Sequence, residues 1–121
     1  MDKLTVGVGT PIKEYKNHIA HAGEKVGAKF DNEKTRMDLL MCGCAKSLEQ
    51  VAKVLTFGAK KYADDNWRLV PDAKKRYHAA LHRHLNAYYQ GKKLDDETGL
   101  SHLSHALCCL HFLLEFELEG K

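Results

Sequence analysis

The sequence predicts an all-α fold: a helical bundle of three to four main helices, oligomeric, with an irregular N-terminal arm. Three observations lead there. Apolar residues recur at alternating steps of three and four in three long segments. Glycine and aspartate punctuate the chain between those segments. No stretch of useful length alternates apolar and polar residues with a period of two. The 121 residues fit one domain, and their 44% hydrophobic content allows a core. A domain of this size buries only a modest share of its surface, so assembly into a dimer or tetramer would help it.

In order along the chain, residues 1–28 read as an irregular arm carrying Gly7, Gly9, Gly23 and Gly27, with a short helix expected at Ile12–Ala22. Residues 29–121 read as the all-α domain. Lys29–Asp38 is charged, lacks periodicity and reads as a loop. The first strong helix is expected from about Cys44 to Tyr62, with Met41, Cys44, Leu48, Val51, Leu55, Gly58 and Tyr62 on one face. Ser47 and Gln50 have the spacing of a capping box. A neighbouring stripe of Ala45, Glu49, Ala52, Thr56 and Ala59 is made of small residues and one carboxylate. Asp64–Pro71 reads as a connector.

The second helix is expected from an N-cap at Asp72 to Gln90, with Gly91 as its C-cap. Its inner face is Tyr77, Leu81, His84 and Tyr88, and Lys74, Lys75, Arg76 and Arg83 make it locally basic. Gly91–Thr98 is a polar turn with three consecutive acids, Asp95, Asp96 and Glu97. The last helix is expected over Thr98–Glu117. Leu100, Leu103, Leu107, Leu110 and Leu114 form one apolar stripe, and His102, His105, Cys109, Phe112 and Phe116 a second. Ser101, Ser104, Cys108, His111 and Glu115 make up the remaining face. A helix apolar on two sides belongs inside a bundle or at a subunit interface.

Composition excludes several classes. A net charge of +3 with histidines neutral is too weak for a duplex nucleic-acid binder, yet suits small anionic ligands such as nucleotides. No signal peptide or membrane span is legible, so the expected setting is cytoplasmic. Cys42/Cys44 and Cys108/Cys109 lack a usual zinc spacing and read as reduced core thiols. Gly-x-Ser-x-Gly is absent, and Gly7-Val8-Gly9 alone makes no phosphate loop.

Two groups of residues can carry chemistry. His102 and His105 lie one helical turn apart, just beyond the acidic turn. With His84 on the second helix and Glu49 on the first, they can converge on a divalent metal or a water. The plain alternative is a hydrogen-bonded core and a solvated turn. The second group is basic: Lys29, Lys34, Arg36, Lys60, Lys61 and Arg68 flank the first helix and suit phosphate oxygens. Trp67 could stack a base and Asn66 read its edge. A solvated surface with Trp67 as a packing anchor is the alternative.

Three ordered motifs then carry a resemblance. They are Lys29-Phe30-Asp31 with Lys34, Arg36 and Asp38-Leu39-Leu40; Val54–Tyr62 followed by Asn66-Trp67-Arg68; and Arg83-His84-Leu85 with Asp96-Glu97-Thr98-Gly99-Leu100, His102-Leu103 and His105-Ala106. Together they resemble the phage-associated dATP/dGTP diphosphohydrolase N-terminal domain family. The resemblance covers roughly residues 29–117. It implies kinship with all-α nucleoside triphosphate pyrophosphohydrolases of the MazG type, usually oligomeric and dependent on Mg2+ or Mn2+. The chain departs from the MazG-type pattern of paired helix acids. Ala52 stands at the partner position of Glu49, and His102 and His105 stand where acids would be expected.

The resulting expectation is hydrolysis of a purine (deoxy)nucleoside triphosphate to monophosphate and pyrophosphate. Glu49, Asp96, Glu97, His102 and His105 would hold the metal, with Glu49, Glu97 and His105 as the catalytic groups. Lys29, Lys34, Arg36, Lys60, Lys61, Asn66, Trp67, Arg68, Arg83 and His84 would bind substrate. The alternative is a non-catalytic phage module that binds or sequesters a nucleotide.

Overall fold

The computed structural model describes residues 26–121 and, as backbone, the strand residues 5–6 and 10–11. The expected helix at Ile12–Ala22 lies outside the described residues. Within the arm, β1 (Thr5–Val6) and β2 (Thr10–Pro11) pair antiparallel, with Val6 opposite Thr10. The chain forms two compact units, Met1–Met37 and Asp38–Lys121.

The described helices are α1 (Met37–Gly43), α2 (Ala45–Lys61), α3 (Ala73–Tyr89) and α4 (His102–Leu118), with a short 3-10 helix at Asn66–Leu69 inside the connector. The architecture is all-α, as the periodicity predicts. None of the helices among the described residues is long and apolar enough to cross a membrane.

Several local expectations change. A separate helix, α1, occupies the end of the expected loop, and its backbone hydrogen bonds continue across Cys44 into α2. The capping box does not form: Ser47 Oγ donates to the Cys44 carbonyl, and Gln50 Oε1 accepts from Ser104 Oγ. Asp72 holds the N-cap position of α3 in a left-handed conformation, but its side chain caps nothing. Helix α4 starts four residues late. Ser101 is its N-cap, with Oγ accepting from the Leu103 N–H, while Thr98 is left in the preceding turn. Glycine has a positional reason there: Gly99 sits at φ 71°, a left-handed conformation that most side chains avoid.

The core lies mainly between α3 and α4. Leu81, Ala106 and Cys109 are buried together, with Tyr77, Ala80, Leu85 and Leu113 packed around them. Helix α2 docks on α4, where Gln50 accepts a hydrogen bond from Ser104, and it buries Val51. At the far end, Trp67 stacks on Phe112 with ring centroids 4.3 Å apart, and Tyr77 meets Phe112 edge-on at 4.8 Å.

The α4 faces are distributed differently from the hydrophobicity pattern. Ser104 and Cys108, on the face read as the leftover one, are buried, whereas the leucine stripe from Leu103 to Leu114 is exposed. Leu103, Leu110 and Leu114 keep 42%, 48% and 51% of their surface. Small side chains permit close helix approach, and Ser104 gains a partner in Gln50. Two cysteine expectations also split. Cys108 and Cys109 are buried free thiols, but Cys42 and Cys44 are exposed. Burial pushes the Cys108 thiol up to about 12 and that of Cys109 to about 11, which leaves both protonated and inert.

Candidate functional site

The loop between α3 and α4 is a tight backbone device. The His102 N–H donates to the Lys93 carbonyl at 2.8 Å, the Asp95 N–H to Leu100 at 2.8 Å, and the Gly99 N–H back to Asp95 at 2.8 Å. Leu94 and Ser101 form an antiparallel bridge. Asp95 is thereby folded back toward the first turn of α4, where His102 and His105 begin the helix.

Asp95 and Thr98 lock each other. The Thr98 N–H donates to Asp95 Oδ2 at 2.9 Å, and the Thr98 hydroxyl lies 3.1 Å from the same oxygen. That hydroxyl also accepts from the Leu100 N–H and sits 2.7 Å from His105 Nε2. A hydroxyl has one proton, and a carboxylate can only accept. The threonine therefore donates to Asp95, and His105 donates from Nε2 to the threonine. The His105 tautomer follows, with its Nδ1 unprotonated.

His84 comes across from α3. Its Nδ1 lies 2.9 Å from Nδ1 of buried His102, so one ring donates and the other accepts. Its ring also stacks on His105 with centroids 4.7 Å apart and planes 14° from parallel. Burial, then the proximity of His105 and His102, lowers the His84 imidazole to about 4. Burial lowers His105 as well. Burial opposes the Asp95 charge, but the two Thr98 hydrogen bonds outweigh it and hold the carboxyl below its usual range. The site thus presents the neutral imidazoles of His84 and His105 beside an ionised carboxylate.

His84, Asp95 and His102 each offer a ligand atom, all within 4.8 Å of one another. For both Nδ1 atoms to serve as ligands, the ring that donates in the His84–His102 contact would carry its proton on Nε2 instead. Two imidazoles and one carboxylate form a donor set that a divalent transition ion accepts and that Mg2+, which prefers oxygen, does not favour.

The structure redistributes the predicted site residues. His102 joins the ligand group, and His84, expected to bind substrate, joins it as well. Asp95 enters in place of its neighbours Asp96 and Glu97; these are exposed, and Glu97 pairs with Lys61 at 2.6 Å. His105 flanks the group, its Nε2 engaged by Thr98. Glu49 lies outside it, with its side chain 71% exposed and paired with Lys53. Thr98 was not among the predicted site residues.

Within the second unit the basic residues are also dispersed. Arg68 is held by Glu119 through contacts of 2.8 and 2.9 Å, so it clasps the 3-10 helix to the end of α4. Its guanidinium lies 4.4 Å from the Trp67 ring centre, while Phe112 stacks on that ring. Contacts with Phe112 and Arg68 make Trp67 a packing anchor. Lys29, Lys34 and Arg36 belong to the first unit, where Lys34 closes a turn onto the Asp31 carbonyl. Lys60 is exposed on the last turn of α2. Asn66 and Arg83 line a cleft of about 980 Å³ bounded by α2, the connector, α3 and α4.

Comparison with known proteins agrees with the sequence motifs. The chain is 36% identical over 87 residues to a dATP/dGTP diphosphohydrolase of Salmonella phage PMBT28, an alignment covering 72% of this chain and 28% of that protein. The chain therefore spans under a third of the relative's length. No solved structure matches it. The family described as dATP/dGTP diphosphohydrolase, N-terminal, matches residues 24–121, and the chain belongs to that family.

Proposed function

We propose that this domain hydrolyses a purine deoxynucleoside triphosphate to monophosphate and pyrophosphate with a divalent ion, Mn2+ in preference to Mg2+. The observation that carries the reading is the convergence of His84, Asp95 and His102 in a chain whose phage relative is named for dATP/dGTP hydrolysis. An ion held by these three residues would supply positive charge to the phosphates and lower the pKa of the attacking water. Asp95 is kept ionised by Thr98, and His84 is kept neutral by burial, the protonation states that ligation requires. His105, its tautomer fixed by Thr98, presents an unprotonated Nδ1 that can accept a proton from water.

The test is incubation of the protein with dATP or dGTP and Mn2+, Mg2+ or EDTA. The expected products are monophosphate and pyrophosphate with Mn2+, less with Mg2+, and none with EDTA. Equal turnover in EDTA sinks the metal-dependent reading. The single carboxylate among the ligands favours a second reading, a module that binds the nucleotide without turnover. Nucleotide binding with no product under any ion would establish that one.

The exposed leucines of α4 support a homo-oligomer. Leu103, Leu107, Leu110 and Leu114 repeat at steps of four, three and four, the seam of a self-pairing helix. Leu107→Asp with Leu110→Asp is expected to convert the oligomer to monomers in analytical ultracentrifugation. A wild-type protein that sediments as a monomer at every concentration would remove this proposal. The working setting is the cytoplasm, the host's if the protein is phage-encoded, where the triphosphates are.

A further inference from the structure

The ligand group explains where phosphates could be attacked but leaves the large cleft unused. None of His84, Asp95, His102 and His105 lines that cleft. Its volume, about 980 Å³, is at the upper end of the ~300–1,000 Å³ typical of small-molecule sites. Leu55, Ala59, Tyr77 and Phe112 give it apolar and aromatic walls. Asn66, Asp64 and Asp65 add an amide and two acceptors, a set that can meet the amino and ring-nitrogen edges of a purine. Arg83 also lines it, is exposed, and has no carboxylate partner among the described residues. Arg83 is also the covalent neighbour of His84.

We propose that this cleft is the nucleoside site, holding a purine base and its deoxyribose between α2 and α3, with Arg83 receiving the phosphates that leave it toward the His84–Asp95–His102 group. The inference rests on the hydrolase reading for its substrate class, while the cleft's affinity for a nucleoside does not depend on turnover. Base and sugar bury against the apolar walls. Arg83 binds phosphate oxygens in bidentate fashion, which a lysine could not reproduce. The ion site and the cleft then divide recognition. The cleft selects the nucleoside, and the α4 end handles the phosphates.

The experiment is a titration of the full chain in EDTA, followed by NMR and calorimetry, with deoxyguanosine, deoxyadenosine and their 5′-monophosphates. Both nucleosides are expected to bind by millimolar concentration and to shift the amide signals of Ala59 and Asn66. The 5′-phosphate is expected to tighten binding about tenfold, and Arg83→Gln to erase that gain while leaving nucleoside affinity unchanged. Ala59→Trp, which fills the cleft, is expected to weaken nucleoside and monophosphate alike by tenfold or more. Arg83 is exposed, so its substitution keeps the test valid if Ala59→Trp fails to fold. No nucleoside binding by millimolar concentration, unchanged affinity in a folded Ala59→Trp, or a phosphate gain retained in Arg83→Gln would each overturn the proposal. Absence of triphosphate hydrolysis with nucleoside binding intact would count against the hydrolase reading alone.

Discussion

Asp95→Asn is expected to abolish the stabilisation of this protein by Mn2+ and, with it, triphosphate turnover. Asparagine has the shape of aspartate and can still accept the Thr98 N–H through Oδ1, so the turn between α3 and α4 survives. What is lost is the only carboxylate of the ligand group. An ion present at 100 times its dissociation constant stabilises the native state by about 2.7 kcal/mol. For a domain of this size that is about 10 °C or more in Tm. A 100-fold loss of affinity would leave about 0.4 kcal/mol, close to undetectable by thermal shift. His102→Ala should do the same. Glu49→Gln should not, because Glu49 is exposed and paired with Lys53. Thermal shift with and without Mn2+ on the three variants decides the matter. An Asp95→Asn protein that gains the wild-type increment would remove Asp95 from the site, and loss of the increment in Glu49→Gln would return Glu49 to it.

Helices α2, α3 and α4 were legible because their apolar spacing is regular and their ends carry glycine, aspartate or serine. The interior placement of His84 and His102 followed from the same periodicity. The choice among Asp95, Asp96 and Glu97 did not, since composition treats the acids alike. The distinguishing signal was Thr98 three residues after Asp95, followed by Gly99. That pattern turns the first acid back onto a backbone N–H and leaves the next two facing water. The ranking of the α4 faces failed for a different reason. Hydrophobicity favours burying leucine over serine and cysteine, but close approach of α2 requires small side chains, and Gln50 satisfies Ser104. The role of Trp67 depended on pairings distant in sequence. Phe112, 45 positions away, stacks on the indole, and Glu119 holds the Arg68 guanidinium that lies over it.

The same cluster gives the largest expected effect on stability. Phe112→Ala should destabilise the protein by about 3 kcal/mol, the low end of the ~3–5 kcal/mol range for aromatic truncation because Phe112 is only half-buried. The ring contributes more than area. It stacks on Trp67 and receives the edge of Tyr77, contacts worth about 0.5–1.5 kcal/mol each beyond burial. Trp67 is the single tryptophan of the chain, so its fluorescence reports unfolding directly. With a urea slope of about 1–3 kcal/mol/M, the midpoint should fall by about 1–3 M. Phe112→Leu retains much of the apolar volume and should recover part of the loss. A midpoint unchanged in Phe112→Ala would mean that the connector is not held by this ring. The consequence would reach the cleft, since Trp67 and Phe112 both line it. If the stack anchors the connector, Phe112→Ala should weaken nucleotide binding as well as the fold, whereas Asp95→Asn should remove the response to the ion and lower the urea midpoint of the metal-free protein far less, by the charge-assisted Thr98 hydrogen bonds alone.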